Sequence, residues 1–345
     1  MSERNTEKKV TIYQIAQEAG VSASQVSRAI SGKGYVSEEN RKKIQALVEK
    51  YNYRPNALAQ NLVKGKSNTI GFLIPHIYEE YFPMIYSSFE REMTERGYVT
   101  IVFNGKSTFE EEIRILHLLE DTRVDAAVII GGSLDFADWN LRKEYITTIK
   151  NLSSKIPCVL GNERAGQLGC SGVFVNLDKG IKELSEYIAS KGYKTMGILG
   201  GFDSVYPSLR LRDTLRKYAT ELGITIKPQW EVRSSYNARD GAAAMKELLK
   251  NKELPEIVCC INDEIAVGAM GVALDKGFRI PEDIAFTGFD GVYLSQEFRP
   301  QLTTLQMDFE TMGKELARIV EGHLSGREEI SDIAVDPWLE IRSST

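Results

Sequence analysis

Histidine is scarce. The chain has only His76, His117 and His323, and no two stand at metal-ligand spacing. A histidine-based zinc site or catalytic triad is therefore not expected, and no metal or other cofactor is assigned. Cysteine is almost as rare, at Cys158, Cys170, Cys259 and Cys260. None forms C-x-x-C, and the adjacent pair lies in an apolar run, so buried thiols are expected rather than a disulfide framework. No apolar run approaches the ~18 residues of a membrane span. The first ten residues, MSERNTEKKV, carry no apolar h-region, so no secretory signal is expected there. Neither G-x-x-x-x-G-K-[ST] nor G-x-G-x-x-G occurs, and Gly131-Gly132 and Gly200-Gly201 are pairs only. Phosphate-cradling enzyme chemistry thus has no motif to stand on.

What is present is an ordinary globular composition of 345 residues, 42% hydrophobic and 26% charged, long enough for two domains or more. The net charge of −5 is unevenly distributed. Residues 1–66 hold twelve Lys and Arg against six Asp and Glu, and the remainder holds 31 against 42. A basic head on an acidic body implies that the head alone approaches a polyanion.

Three helix patterns fill that head. Thr11 with Gln14, and Ser22 with Gln25, have capping-box spacing. Ile12, Ile15, Ala16 and Ala19 line one face of the first helix, and Val26, Ala29 and Ile30 line the second. Ser37 opens a third, with Ile44, Leu47, Val48 and Tyr51 as its stripe. Gly20 separates the first two, which is the arrangement of a helix-turn-helix. Ala23, Ser24, Gln25 and Arg28 are expected to point outward. Gln25 and Arg28 can pair with adenine and guanine, while Tyr13, Ser27 and Ser31 suit phosphate contacts.

The stretch from Thr11 to Gly32, TIYQIAQEAGVSASQVSRAISG, resembles the headpiece of the LacI/GalR family of bacterial transcription regulators. Tyr51-Asn52-Tyr53-Arg54-Pro55-Asn56 and Ala59-Gln60-Asn61-Leu62 resemble that family's link and hinge helix. The resemblance implies a headpiece over 1–54, a hinge over 55–67 and an effector-binding core over 68–345. Asn56 would cap the hinge helix, with Ala59 and Gln60 on it. An isolated helix that short is marginal in water and should form when two copies pair on DNA. Leu62 would then be an apolar wedge at a minor-groove step.

From residue 68 short apolar strands alternate with amphipathic helices. They run from Ile70–Ile74 through Phe82–Arg96, Val99–Phe103, Glu110–Glu120 and Ala126–Ile130 to Ile284–Thr287, which argues for α/β parallel sheets covered on both faces. The region resembles the two-lobed periplasmic-binding-protein-like core of the same family. Its lobes are expected at 68–161 with 291–322, and at 162–290 with 323–345.

Ligands of open α/β sheets sit beyond the carboxyl ends of strands. Asn162, Asn262, Asp290 and Arg210 fall at or just after such ends. The resemblance aligns them with the family's effector contacts, and adds Tyr81, Phe82, Phe174, Tyr206, Tyr236 and Met307. Asn and Asp satisfy sugar hydroxyls, while rings stack on sugar faces. Asn or Asp at a strand end also serves as a helix N-cap. Glu79-Glu80 stands where many relatives have Asn-Pro, so Glu79 is a further effector-side residue and sugar identity does not transfer. The implied protein is a cytoplasmic homodimeric regulator, expected to repress carbohydrate-utilisation genes. Its partners would be a pseudo-palindromic double-stranded DNA operator and a small saccharide, with no membrane contact. Two alternatives are a regulator answering mainly to a phosphocarrier protein and an enzyme carrying a DNA-binding head.

Overall fold

The computed structural model describes residues 10–32, 34–53, 67–106, 108–327 and 329–345. The expected hinge contacts Asn56, Ala59, Gln60 and Leu62 lie outside the described residues. The chain divides into two compact units at Ser67/Asn68.

The first unit holds α1 (Ile12–Ala19), α2 (Ala23–Ser31) and α3 (Glu38–Lys50). Both capping boxes form. The Thr11 and Ser22 side chains accept from the backbones of Gln14 and Gln25, and those glutamines accept from the cap backbones in return. Gly20 ends α1 at φ 66°, a left-handed conformation that a Cβ would disfavour. Ile15, Val26, Val36 and Ile44 close the small core. Glu18 accepts from the Tyr51 hydroxyl at 2.8 Å and pairs with Lys50 at 3.2 Å, tying α1 to the end of α3.

The second unit contains two six-stranded sheets. In the first, β1 (Thr69–Ile74), β2 (Val99–Asn104), β3 (Ala126–Ile130), β4 (Cys158–Gly161), β5 (Ser171–Val175) and β11 (Asp332–Val335) run parallel in the order β11-β5-β4-β3-β1-β2. In the second, the order is β12-β10-β9-β8-β6-β7. It comprises β6 (Met196–Leu199), β7 (Glu231–Val232), β8 (Ile257–Cys260), β9 (Ala285–Asp290), β10 (Thr303–Gln306) and β12 (Trp338–Glu340), with only β10–β12 antiparallel. Helices α4 (Tyr81–Glu95), α5 (Phe109–Asp121), α6 (Lys143–Ser153), α7 (Leu177–Ser190), α8 (Tyr206–Glu221), α9 (Ala238–Leu248), α10 (Asp263–Asp275), α11 (Tyr293–Glu297) and α12 (Phe309–Leu324) complete the lobes. Central strands such as β3 are buried at every residue, as both-face coverage requires.

The lobes divide the chain later than the sequence suggests. Residues 162–170 do not cross over at Gly161-Asn162. They turn back so that β5 pairs with β4, Val159 opposite Ser171. The first crossing therefore follows Val175. Likewise β10 pairs with β9, Thr303 opposite Thr287, which keeps 291–306 in the second lobe rather than the first. Helix α12 packs on α4, with the Ser88 hydroxyl donating to Glu310 O at 2.9 Å, and β11 pairs with β5. Both belong to the first lobe, and only β12 returns to the second.

All four cysteines are buried thiols. Burial pushes Cys158 and Cys259 far up, the latter to about 12. Among the described residues no helix is long and apolar enough to cross a membrane. Among them, too, no group of three or more His, Cys, Asp or Glu could hold a metal ion.

Candidate functional site: a helix-turn-helix surface and an inter-lobe cleft

The candidate DNA-facing residues sit on α1, α2 and their caps. Tyr13 is 75% exposed on α1. Ser24, Arg28 and Ser31 are exposed on α2. Ala23 differs from expectation: it is half-buried and packs against the headpiece core. Gln25 is half-buried too, because its Oε1 accepts from the Ser22 backbone at 3.1 Å. Ser27 is half-buried. Arg28 folds back on its own helix, Nε donating to Ser24 O at 3.2 Å and Nη2 to the Ser24 hydroxyl at 3.3 Å. Thr11 and Ser22 are occupied as caps.

In the second unit the loops after the strands of both sheets face each other across a cleft of about 640 Å³. The first lobe contributes the turn after β1 (Pro75–Phe82), the loop after β3 (Gly132–Phe136) and the residues after β4 (Asn162, Glu163). The second contributes the loop after β6 into α8 (Phe202–Leu211), Tyr236, Asn262 and Glu264 after β8, and Asp290 ending β9. This is the strand-end location at which open α/β sheets bind ligands. Of the expected effector residues, Glu79, Tyr81, Phe82, Asn162, Phe174, Tyr206, Arg210, Tyr236, Asn262 and Asp290 all line it. Met307 does not. It lies just past β10 in the core, 1% exposed, its N–H donating to Asp290 O at 3.0 Å.

Several of these side chains carry structural duties as well. Asn262 caps α10, Oδ1 accepting from Ile265 N–H at 2.9 Å, and its Nδ2 donates to Tyr236 O at 2.8 Å. Asn162 is 4% exposed, with Nδ2 donating to Asp135 Oδ1 at 2.7 Å and Oδ1 accepting the Arg164 N–H at 2.9 Å. Arg210 pairs with Glu163 at 3.2 Å, an ion pair reaching from one lobe to the other. Tyr81 stacks edge-on against Phe82 and Phe309, at 5.1 and 5.5 Å between centroids. The Tyr236 and Ser208 hydroxyls are 2.9 Å apart.

The cleft is rich in carboxyl groups. Burial and then the neighbouring Glu264 push Glu79 up to about 7. Burial raises Asp135 to about 6, against the opposing pull of the Asn162 hydrogen bond and Arg164. Asp290 is raised well above the carboxylate range by burial, then by Asp263, Glu264 and Glu79. It also adopts φ 101°, a costly conformation for a residue with a Cβ. His76, 3.9 Å from Glu79, is held below its usual value by burial.

Sequence reasoning missed Asp135, Arg142, Glu163, Ser208 and Glu264 in the lining, and Arg164, which holds the loop carrying Asp135. The strand-end rule could have found Asp135, which follows β3 and its Gly131-Gly132 pair, and Glu264, which follows β8. Arg142 carried no such signal. It comes into the cleft from the turn before α6 and stacks on Phe136 at 4.0 Å.

Comparison with known proteins agrees with this architecture. Residues 11–56 match the family described as bacterial regulatory proteins, lacI family, and residues 185–345 match a periplasmic binding protein-like domain. Catabolite control protein A of Staphylococcus epidermidis is 28% identical over 337 residues, covering 97% of this chain and 99% of that protein. The protein of the same name from Staphylococcus xylosus is 29% identical over 342 residues, covering 97% and 99%. The solved lac repressor dimer bound to operator and the anti-inducer ONPF superposes with a TM-score of 0.87 at 24% identity, covering 98% of this chain and 99% of that one. The transcriptional regulator CelR in complex with cellobiose superposes at 0.72 and 22%, covering 97% and 100%. A capped helix-turn-helix and a two-lobed core, with relatives that match nearly the whole length of the chain, make it similar to the lacI family of bacterial regulatory proteins.

Proposed function

We infer that the chain is a sequence-specific, DNA-binding transcription regulator of carbohydrate utilisation. It acts as a homodimer on an operator and is controlled by a saccharide held between the lobes. The observation that carries the effector half is the convergence of ten expected contact residues on one cleft at the strand ends. The DNA half rests on the basic, doubly capped head and the lacI-family match. The solved neighbours that bind operator or cellobiose support both halves.

The cleft's charges favour a particular kind of saccharide. Glu79, Asp135, Glu163, Glu264 and Asp290 outnumber Arg142 and Arg210, and Arg210 is already engaged by Glu163. Hydroxyls hydrogen-bond to such groups whether they are ionised or protonated, whereas a sugar phosphate brings charge into a poorly solvated space in which Arg210 is already paired with Glu163. A neutral glycoside or disaccharide is therefore the expected effector class.

Fluorescence anisotropy of labelled operator, titrated with protein in the presence of neutral disaccharides and of sugar phosphates, tests this. A neutral disaccharide that shifts the operator affinity at least tenfold, with no phosphate doing so, supports the reading. A phosphate that acts alone contradicts it. The alternative reading is a regulator that answers mainly to a phosphocarrier protein. A pull-down with the phosphorylated carrier separates it from direct sugar sensing. Purified protein supplied with nucleotide and saccharide is expected to release no product.

A further inference from the structure

Arg164 serves both lobes. Within the first lobe its guanidinium holds three carbonyls of one loop. Nη1 donates to Ala137 O at 3.2 Å, and Nη2 donates to Leu134 O at 3.2 Å and Phe136 O at 2.9 Å. Nε donates to Asn162 Oδ1 at 3.4 Å, and Asn162 in turn holds Asp135. The loop that carries Asp135 and Phe136 into the cleft is thus hung on one side chain. The guanidinium carbon lies over two rings, 4.2 Å from the Trp139 centroid and 4.0 Å from that of Tyr206. Trp139 belongs to the first lobe, but Tyr206 opens α8 in the second.

The lobes also touch around these rings. Ala137 N–H donates to Ser204 O at 2.8 Å, and Phe136 and Val205 form an isolated antiparallel bridge. The Arg210–Glu163 pair beside them is partly exposed, so solvent and salt weaken it. Arg164 is only 9% exposed, and among the described residues no carboxylate lies within ion-pairing distance of it. A cation kept from water in this way depends on its carbonyls and its two rings.

We propose that Arg164 is the positioning residue that makes lobe closure and the shape of the effector wall a single event. Parting the lobes here strips the Tyr206 ring from the guanidinium and lets water reach it. The fork loosens, and Asp135 and Phe136 lose the geometry that a ligand meets. Conversely, a ligand that seats that loop re-forms the face on which Tyr206 docks. Lysine cannot substitute, because an ammonium has neither the planar face nor the fork. The inference rests on the contacts alone and stands whatever ligand the cleft takes.

The test needs no ligand. In the full-length chain, Ala137→Cys with Ser204→Cys places two thiols on the neighbours of the Phe136–Val205 bridge, which share a backbone hydrogen bond, and antiparallel neighbours of this kind lie within the Cα range that a disulfide spans. The four native thiols are buried. The rate of cross-linking under mild oxidation then reports apposition of the lobes. Adding Arg164→Lys or Tyr206→Leu is expected to slow it at least tenfold, while Tyr206→Phe, which keeps the ring, leaves it within twofold. Arg164→Lys with Tyr206→Leu together should be no slower than the slower single variant, because both remove one contact. Additive slowing, or cross-linking at the parental rate in Tyr206→Leu, would overturn the proposal. Tyr206→Leu keeps every hydrogen bond of the Arg164 guanidinium, so it provides a readout even if the lysine variant fails to fold.

Discussion

Arg210 shows how one side chain answers to two descriptions. It pairs with the Glu163 carboxylate of the other lobe, and it also lines the ligand space. A partly exposed pair is worth at most about 1 kcal/mol. Arg210→Ala should therefore change the melting temperature by about 2 °C or less, yet abolish the saccharide response while sparing operator affinity. A thermal melt and an anisotropy titration on the same preparation check both; a normal response removes Arg210 from the site. Glu112, on α5, is a different case. It is 1% exposed, accepts from Ser133 N–H at 2.9 Å, and fills the space a Cβ on Gly132 would need. Burial raises its carboxyl to about 7, against the model-peptide 4.5. The folded state thus binds this proton more tightly than the unfolded state. Its contribution to stability is present below about pH 4.5 and is lost as pH climbs to about 7. Glu112→Gln should flatten the fall in melting temperature between pH 5 and 7.5, leaving the variant at least as stable as the parent at the upper end. An unchanged pH profile would refute this. The polar residues at strand ends were legible because chain position alone puts them in the cleft. Met307 was not, since only the pairing of β10 with β9 shows that its side chain belongs to the core.

At the scale of elements, local signals were strongest where a cap and a period coincided. The first three helices fall within a residue of the positions read from Thr11, Ser22 and Ser37. Helix α8 begins at Tyr206, with Pro207 suited to its first turn. The strands that went unread, β5, β7, β10, β11 and β12, are five residues or shorter and take their place from partners elsewhere in the chain. No period could mark them, and so the lobe boundaries were misplaced. The caps make a direct prediction. Ser22→Ala should destabilise the headpiece by about 1 kcal/mol. It should also weaken operator binding while leaving saccharide affinity in the core unaltered. Equal losses at both sites, by anisotropy and calorimetry, would contradict it.

For the whole molecule, the basic head and acidic body set the expected physics of DNA binding. Several phosphate contacts per dimer should make operator affinity fall steeply with salt. Gln25 and Arg28 substitutions should relax base preference without changing that slope, since reading bases and neutralising phosphates are separate tasks. A uniform loss across sequences would make them phosphate contacts instead. Leu62→Ala should weaken operator binding with little effect on saccharide affinity, as expected of a groove wedge. On the proposed function, control of operator affinity would amount to a bias between two lobe arrangements by a ligand that prefers one.

The central claim is that the head reads DNA sequence under control of the cleft. Selection of genomic fragments by the purified full-length protein at fixed moderate salt, with and without a mixture of neutral saccharides, tests it most directly. The account predicts enrichment of one pseudo-palindrome, gained or lost when the saccharides are added. No enriched sequence under either condition would contradict it.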